Sequence, residues 1–142
     1  MISKLLFILS IGFLVFTPVK TQSAEDDWKV IEGTWIPVSF EVGGQKLPDA
    51  TFKDAKLVMT DGQYTYQNDR GTYKLITSEK PRGIDVTGVE GPNQGKTFPA
   101  IYELRGDTLK ICYDLAGKTR PTEFATQAGT RQFLASYKRA KP

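Results

Sequence analysis

The residues that usually carry chemistry are scarce in this chain. It has 142 residues and no histidine, so it lacks the commonest general base, the usual activator of a nucleophilic serine and the commonest metal ligand. The reading is therefore no metal site, no cofactor and no enzyme. The carboxylates are dispersed over strand ends and turns, where a solvated face is the default. Two that meet only in the fold are the one remaining route to a hydrolase. Cys112 is the single cysteine, which rules out an intramolecular disulfide. It reads as a small buried apolar residue rather than as a reactive thiol.

Two short motifs invite stronger readings. Gly91-Pro92-Asn93-Gln94-Gly95-Lys96-Thr97 resembles a phosphate-binding loop, but three residues separate its glycines where four are needed, and it leads into a strand rather than a helix. It is read as a turn. Arg105-Gly106-Asp107 is the tripeptide that integrins recognise. Its place at a hairpin tip, where glycine and aspartate supply the backbone angles of a tight turn, explains it more simply.

What the chain does have in quantity is aromatic rings on alternating positions: Phe40, Tyr64, Tyr66, Tyr73, Phe98, Tyr102, Tyr113, Phe133 and Tyr137. These rings either fill a small core or line a cavity, with tyrosine hydroxyls available to orient a ligand. The candidate ligand-lining residues are Phe40, Tyr64, Tyr66, Tyr73 and Tyr102.

Short alternating runs position these rings. In Glu32–Val42, Ile36, Val38, Phe40 and Val42 share a parity, Trp35 falls on the other, and Pro37 predicts a bulge that turns Trp35 and Val38 to one side. Further strands are expected at Lys56–Thr60, Gln63–Gln67, Thr72–Thr77, Ile84–Thr87, Thr97–Arg105, Thr108–Asp114 and Arg131–Arg139. Turn chemistry separates them about every 8 to 12 residues. Asp61-Gly62 and Gly106-Asp107 are tight hairpins, Asn68 to Gly71 is a turn, and Leu47–Ala55 and Leu115–Thr130 are loops. No helix is expected after the first 24 residues. About eight strands in this pattern predict an all-β, antiparallel up-and-down barrel.

Residues 1–24 stand apart from this pattern. Lys4 precedes an apolar run from Leu5 to Phe16 that is shorter than the roughly 20 residues of a spanning helix, followed by small and polar residues. This is the pattern of a secretory signal peptide, with a membrane anchor as the weaker reading. Cleavage fits after Ser23 or after Ala24, with the first favoured. Residues 25–142 then form one domain, expected to be an exported monomer in the periplasm, the cell envelope or the extracellular space. Removal of Lys4 and Lys20 leaves it nearly neutral and without a basic stripe, which argues against nucleic acid as a partner.

Taken together, Gly33-Thr34-Trp35, Gly71-Thr72-Tyr73, Ile84-Asp85, Glu90-Gly91-Pro92, Ile101-Tyr102-Glu103-Leu104, Gly106-Asp107-Thr108-Leu109-Lys110 and Arg120-Pro121-Thr122-Glu123-Phe124 resemble a family of uncharacterised exported domains. That family is best known from planctomycetes and is lipocalin-like. The resemblance spans about Trp28 to Arg139 and implies fold and export, with no activity to carry over. Gly33-x-Trp35 is also similar to the opening motif of lipocalins and fatty-acid-binding proteins. In those proteins the tryptophan sits at the closed end and a basic residue of the last strand lies across it, which the resemblance assigns here to Trp35 and Arg139.

The leading functional expectation is a non-enzymatic barrel that binds a small apolar molecule. The alternative is a solid barrel that acts as an interaction or envelope module, with Arg120, Glu123 and Phe124 as the candidate surface. A hydrolase of unknown type is a distant third.

Overall fold

The computed structural model describes residues 15–16 and 23–142. Residues 1–14 and 17–22, on which the signal-peptide reading rests, lie outside the described residues. Among the described residues no helix is long and apolar enough to cross a membrane.

The strands are β1 (Gly33–Val42), β2 (Gln45–Lys46), β3 (Leu57–Thr60), β4 (Gln63–Tyr66), β5 (Asp69–Ile76), β6 (Gly83–Glu90), β7 (Thr97–Arg105), β8 (Thr108–Asp114) and β9 (Gln132–Arg139). Every pairing between them is antiparallel. From β3 to β9 each strand pairs with the next in sequence, and β1 bonds to both β3 and β9. The result is a closed eight-stranded up-and-down barrel, with β2 as an extra strand hairpinned onto β1. Closure removes the unpaired edges that an open sheet of this size would present.

β7 and β8 form the hairpin expected over Thr97–Arg105 and Thr108–Asp114, and their bounds match it to the residue. In β1 the ladder slips between Pro37 and Ser39, which is the expected bulge at a proline that cannot donate to the sheet. Its consequence differs from the expectation. Val38 is the bulged residue and is 52% exposed, while Trp35 and Phe40 are the two side chains brought onto the inner face.

Two other expectations are corrected. A helix follows residue 23 after all: α1 (Ala24–Val30) is opened by Ser23, whose hydroxyl accepts from the Asp26 backbone while the Asp26 side chain returns the bond. Such a capping box, with Glu25, Asp26 and Asp27 at the positive end of the helix, is a start signal in its own right. Within the loop before β3, Asp49–Thr51 form the single helical turn that this segment allows, as a 3-10 turn.

The other correction concerns Asn68 to Gly71. The turn is only Gln67-Asn68, with Gln67 at a positive φ of 53°, and β5 starts at Asp69 rather than Thr72. Gly71 lies inside the strand because a Cβ there would come 1.9 Å from the Thr87 carbonyl oxygen and 2.6 Å from the Tyr64 ring. Close approach, not turning, is what this glycine permits.

The two ends of the barrel are built differently. At one end α1 lies beneath the strands. Trp35, wholly buried, donates its indole N–H to the Ile31 carbonyl at 2.8 Å. Arg139 is Trp35's partner across β1 and β9. Its guanidinium lies 4.2 Å above the indole and donates to the carbonyls of Glu32 (2.9 Å) and Val30 (2.6 Å). Gly33 makes room for it, since a Cβ there would stand 3.0 Å from the guanidinium. Beside this plug the fully buried Asp27 of α1 accepts from Arg82 and from the Tyr102 hydroxyl. Burial, then the Asp27 carboxylate, pushes the Tyr102 hydroxyl well above its ordinary range, so it stays protonated and donating.

Candidate functional site

The other end of the barrel is not packed solid. A cavity of about 290 Å³ opens between the strands and the loops that join β4 to β5, β6 to β7 and β8 to β9. It is at the small end of the range for ligand pockets, roughly 300–1,000 Å³, and suits one small molecule. An eight-stranded barrel can either fill its interior with side chains or hold such a ligand. This one does the first around Trp35 and leaves space around its tyrosines.

The walls are aromatic and aliphatic: Phe40, Leu57, Met59, Tyr64, Tyr66, Tyr73, Val86, Phe98, Ile111, Tyr113, Leu115, Phe133 and Tyr137. The alternation of β4, β5 and β8 delivers these rings, because every second side chain points inward. Phe40 is the hub of one wall, 4.6 Å from Phe52, 5.0 Å from Phe133 and 5.8 Å from Tyr137 between ring centroids. Tyr113 stacks on Phe133 at 5.7 Å. Tyr73 lies deeper, stacked at 5.8 Å on Trp28 of α1, so it couples the cavity to the helix beneath.

Two polar side chains join the rings, one from the start of a strand and one from a loop. Asp69 starts β5, and Asn93 sits in the Gly91–Gly95 loop. The Tyr64 hydroxyl (3.1 Å) and the Asn93 amide (2.9 Å) both donate to Asp69 Oδ2. Asp69 Oδ1 is buried without a hydrogen-bond partner. Among the described residues no Lys or Arg forms an ion pair with Asp69.

The hydroxyls of Tyr66, Tyr113 and Tyr137 form no hydrogen bond with other described residues of the protein. Burial, followed by the Asp69 charge and hydrogen bond, pushes the Tyr64 hydroxyl far up. For Tyr113 burial comes first and the proximity of Tyr64 and Asp69 adds to it. For Tyr137 burial again leads, with Tyr113 and Tyr66 behind it. All three remain neutral hydroxyls across the physiological range, able to donate or accept.

Of the five candidate lining residues, Phe40, Tyr64, Tyr66 and Tyr73 come together on this cavity, while Tyr102 does not. Tyr102 faces the closed end because its hydroxyl is held by Asp27. Asp69 and Asn93 are absent from the sequence-based site. Asn93 belongs to the loop that imitates a phosphate-binding motif. Asp69 precedes a glycine that reads as a turn.

Arg120, Glu123 and Phe124 differ in their surroundings. Arg120 reaches back to the barrel wall, donating to the carbonyls of Ala100 (2.8 Å) and Ile84 (3.3 Å) and to Asp85 (2.7 Å). Glu123 is exposed and Phe124 half-buried. Cys112 is fully buried, its thiol 3.6 Å from the Ala125 carbonyl and pushed up to about 11 by burial. Among the described residues no cluster of acidic or thiol side chains is placed to hold a metal ion.

The architecture is thus a closed antiparallel barrel, plugged at one end by an indole under a guanidinium and hollow at the other among tyrosines. No family model matches the sequence, and neither curated proteins nor solved structures give a significant match.

Proposed function

We propose that this protein is an exported, non-enzymatic, lipocalin-like domain that holds one small, largely apolar molecule in the open half of its barrel. The observation that carries the reading is the cavity of about 290 Å³, whose walls are rings and aliphatic side chains. A barrel serving only as a scaffold would gain from filling this space. Each buried methylene adds roughly 0.8 kcal/mol, and vacant volume costs about 24 cal/mol per Å³ in a core. On the interaction-module alternative, part of the Arg120 guanidinium is already taken up by the barrel wall, which favours the cavity reading.

Native mass spectrometry of protein purified from its own host, joined to calorimetric titration with 2-(1-naphthyl)ethanol, tests the proposal. A retained small molecule, or saturable 1:1 uptake of the naphthyl alcohol, is expected. Leu115→Trp, which places an indole in the cavity, should abolish uptake while the far-ultraviolet dichroism stays that of a β protein. If no ligand is retained and the alcohol does not bind, the reading is wrong.

A further inference from the structure

The polar equipment of the cavity is one-sided, and that side identifies a ligand class. Asp69 brings a carboxylate to an otherwise aromatic chamber. Tyr64 and Asn93 both donate to Oδ2, while Oδ1 is buried with no partner and, among the described residues, no cation pairs with the group. A carboxylate in so apolar a setting is costly unless a positive charge accompanies it. Tyr66, Tyr113 and Phe133 add ring faces, whose negative quadrupoles attract an organic cation. The hydroxyls of Tyr66 and Tyr113 form no hydrogen bond with other described residues. Among the described residues no Lys or Arg lines the chamber, so it offers an anion no countercharge.

Resting on the ligand-binding reading above, we propose that the cavity is selective for a small organic cation: a protonated amine on an aromatic or otherwise apolar body. The ammonium sits at the Asp69 end among the tyrosines, and the body lies toward Met59 and Tyr73. The Coulomb attraction does not require direct contact with Oδ1. Within this low-dielectric chamber, a charge a few ångströms from the carboxylate is held far more strongly than it would be in water. Asn93 and Tyr64 then act as positioning residues that fix the carboxylate.

Calorimetric titration with two probes of matched shape, 2-(1-naphthyl)ethylamine at neutral pH and 2-(1-naphthyl)ethanol, separates this proposal from the reading beneath it. The amine should bind at least tenfold more tightly than the alcohol. Asp69→Asn, which keeps an oxygen for Tyr64 and Asn93 but loses the charge, should erase that preference, with the amine weakened at least tenfold relative to the alcohol. A melting curve confirms that this variant is folded. Should it prove unfolded, Asn93→Asp, which places a second carboxylate beside the first, should unsettle Asp69 and alter the amine's affinity more than the alcohol's. If both probes bind the native protein equally, or the preference survives Asp69→Asn, the cation proposal is overturned and the apolar site stands. If neither probe binds, both fall.

Discussion

The plug at the closed end makes a prediction whose magnitude can be worked from its contacts. Arg139→Ala removes a cation-π stack on Trp35, worth about 0.5–2 kcal/mol depending on shielding. It also removes two hydrogen bonds from a charged donor, to Val30 at 2.6 Å and Glu32 at 2.9 Å, each in the class worth ~1.5–3 kcal/mol. The Arg139 side chain is 30% exposed, so water takes up part of what is lost and the total falls below even the summed low ends of about 3.5 kcal/mol. The expected cost is about 2–3 kcal/mol. Arg139→Lys keeps a charge over the indole but cannot span both carbonyls, so its cost should be roughly half. Trp35→Ala should be worse, about 3–5 kcal/mol, as the loss of a fully buried ring. Urea denaturation followed by far-ultraviolet dichroism measures all three without relying on tryptophan emission. Gly33→Ala supplies a check, because its Cβ would press on the guanidinium at 3.0 Å. Part of its cost should vanish in the Arg139→Ala background, with backbone strain at φ +127° remaining. An Arg139→Ala protein within 0.5 kcal/mol of native would refute the argument that this residue locks the barrel.

Three other outcomes follow from the buried polar groups. All six tyrosines have hydroxyls raised above their ordinary value, in each case chiefly by burial. A folded-state value above the unfolded one gives stability that is full below about pH 10 and lost as pH rises beyond it. Tyrosinate absorbance should therefore appear together with unfolding, and non-cooperative titration in a folded protein near pH 10 would contradict this. Asp114 has the opposite sign: burial raises it, but the N–H groups of Thr119, Lys118 and Ala116, with the Arg131 charge, prevail and hold it low. Its contribution is present above about pH 4 and fades as pH falls, so Asp114→Asn should cost about 1–3 kcal/mol at pH 7 and less in acid. Tyr102→Phe should cost about 1–3 kcal/mol by taking a donor from buried Asp27, whereas Tyr113→Phe should be neutral or mildly stabilising, and equal effects in thermal melts would count against the assignment of these hydroxyls.

How far the sequence discloses this structure depends on whether the information is local. β7 and β8 are legible to the residue because alternation and a Gly106-Asp107 turn agree, and Pro37 marks its bulge because a missing donor is a covalent fact. The helix α1 is hidden for a different reason. Ser23 and Ala24 fit a processing site as well as a helix start, and a seven-residue helix is too short for its periodicity to show. Gly71 misleads because glycine serves both turns and close approaches, and only the partner strand, with Thr87, decides which. The cavity lies further out of reach, since eight strands are compatible with a solid or a hollow interior. The meeting of Asp69 with Asn93 depends on a strand start and a loop at different places in the chain coming to the same rim.

The contrast between the two ends of the barrel bears on function more than either end alone. At the closed end most buried polar groups are paired: Asp27 with Arg82 and Tyr102, Arg139 with two carbonyls, and the Trp35 N–H with Ile31, while the Tyr73 hydroxyl, on the side of Gly62 and Glu32, is buried without a partner. Pairing is what stability requires, since an orphaned buried donor or acceptor costs about 1–3 kcal/mol. At the open end, within the same small core, Asp69 Oδ1 is buried without a partner, and the hydroxyls of Tyr66, Tyr113 and Tyr137 form no hydrogen bond with other described residues. Phenylalanine at Tyr66, Tyr113 and Tyr137 would fill the same space without hydroxyls to satisfy. Asparagine at Asp69 would still accept from its neighbours without a charge to bury. A sequence shaped by stability alone has no reason to retain a carboxylate and three such hydroxyls around the cavity. Their concentration around the cavity is what a ligand with complementary donors and positive charge would explain, and it ties the hollow interior and its unusual polarity to a single cause.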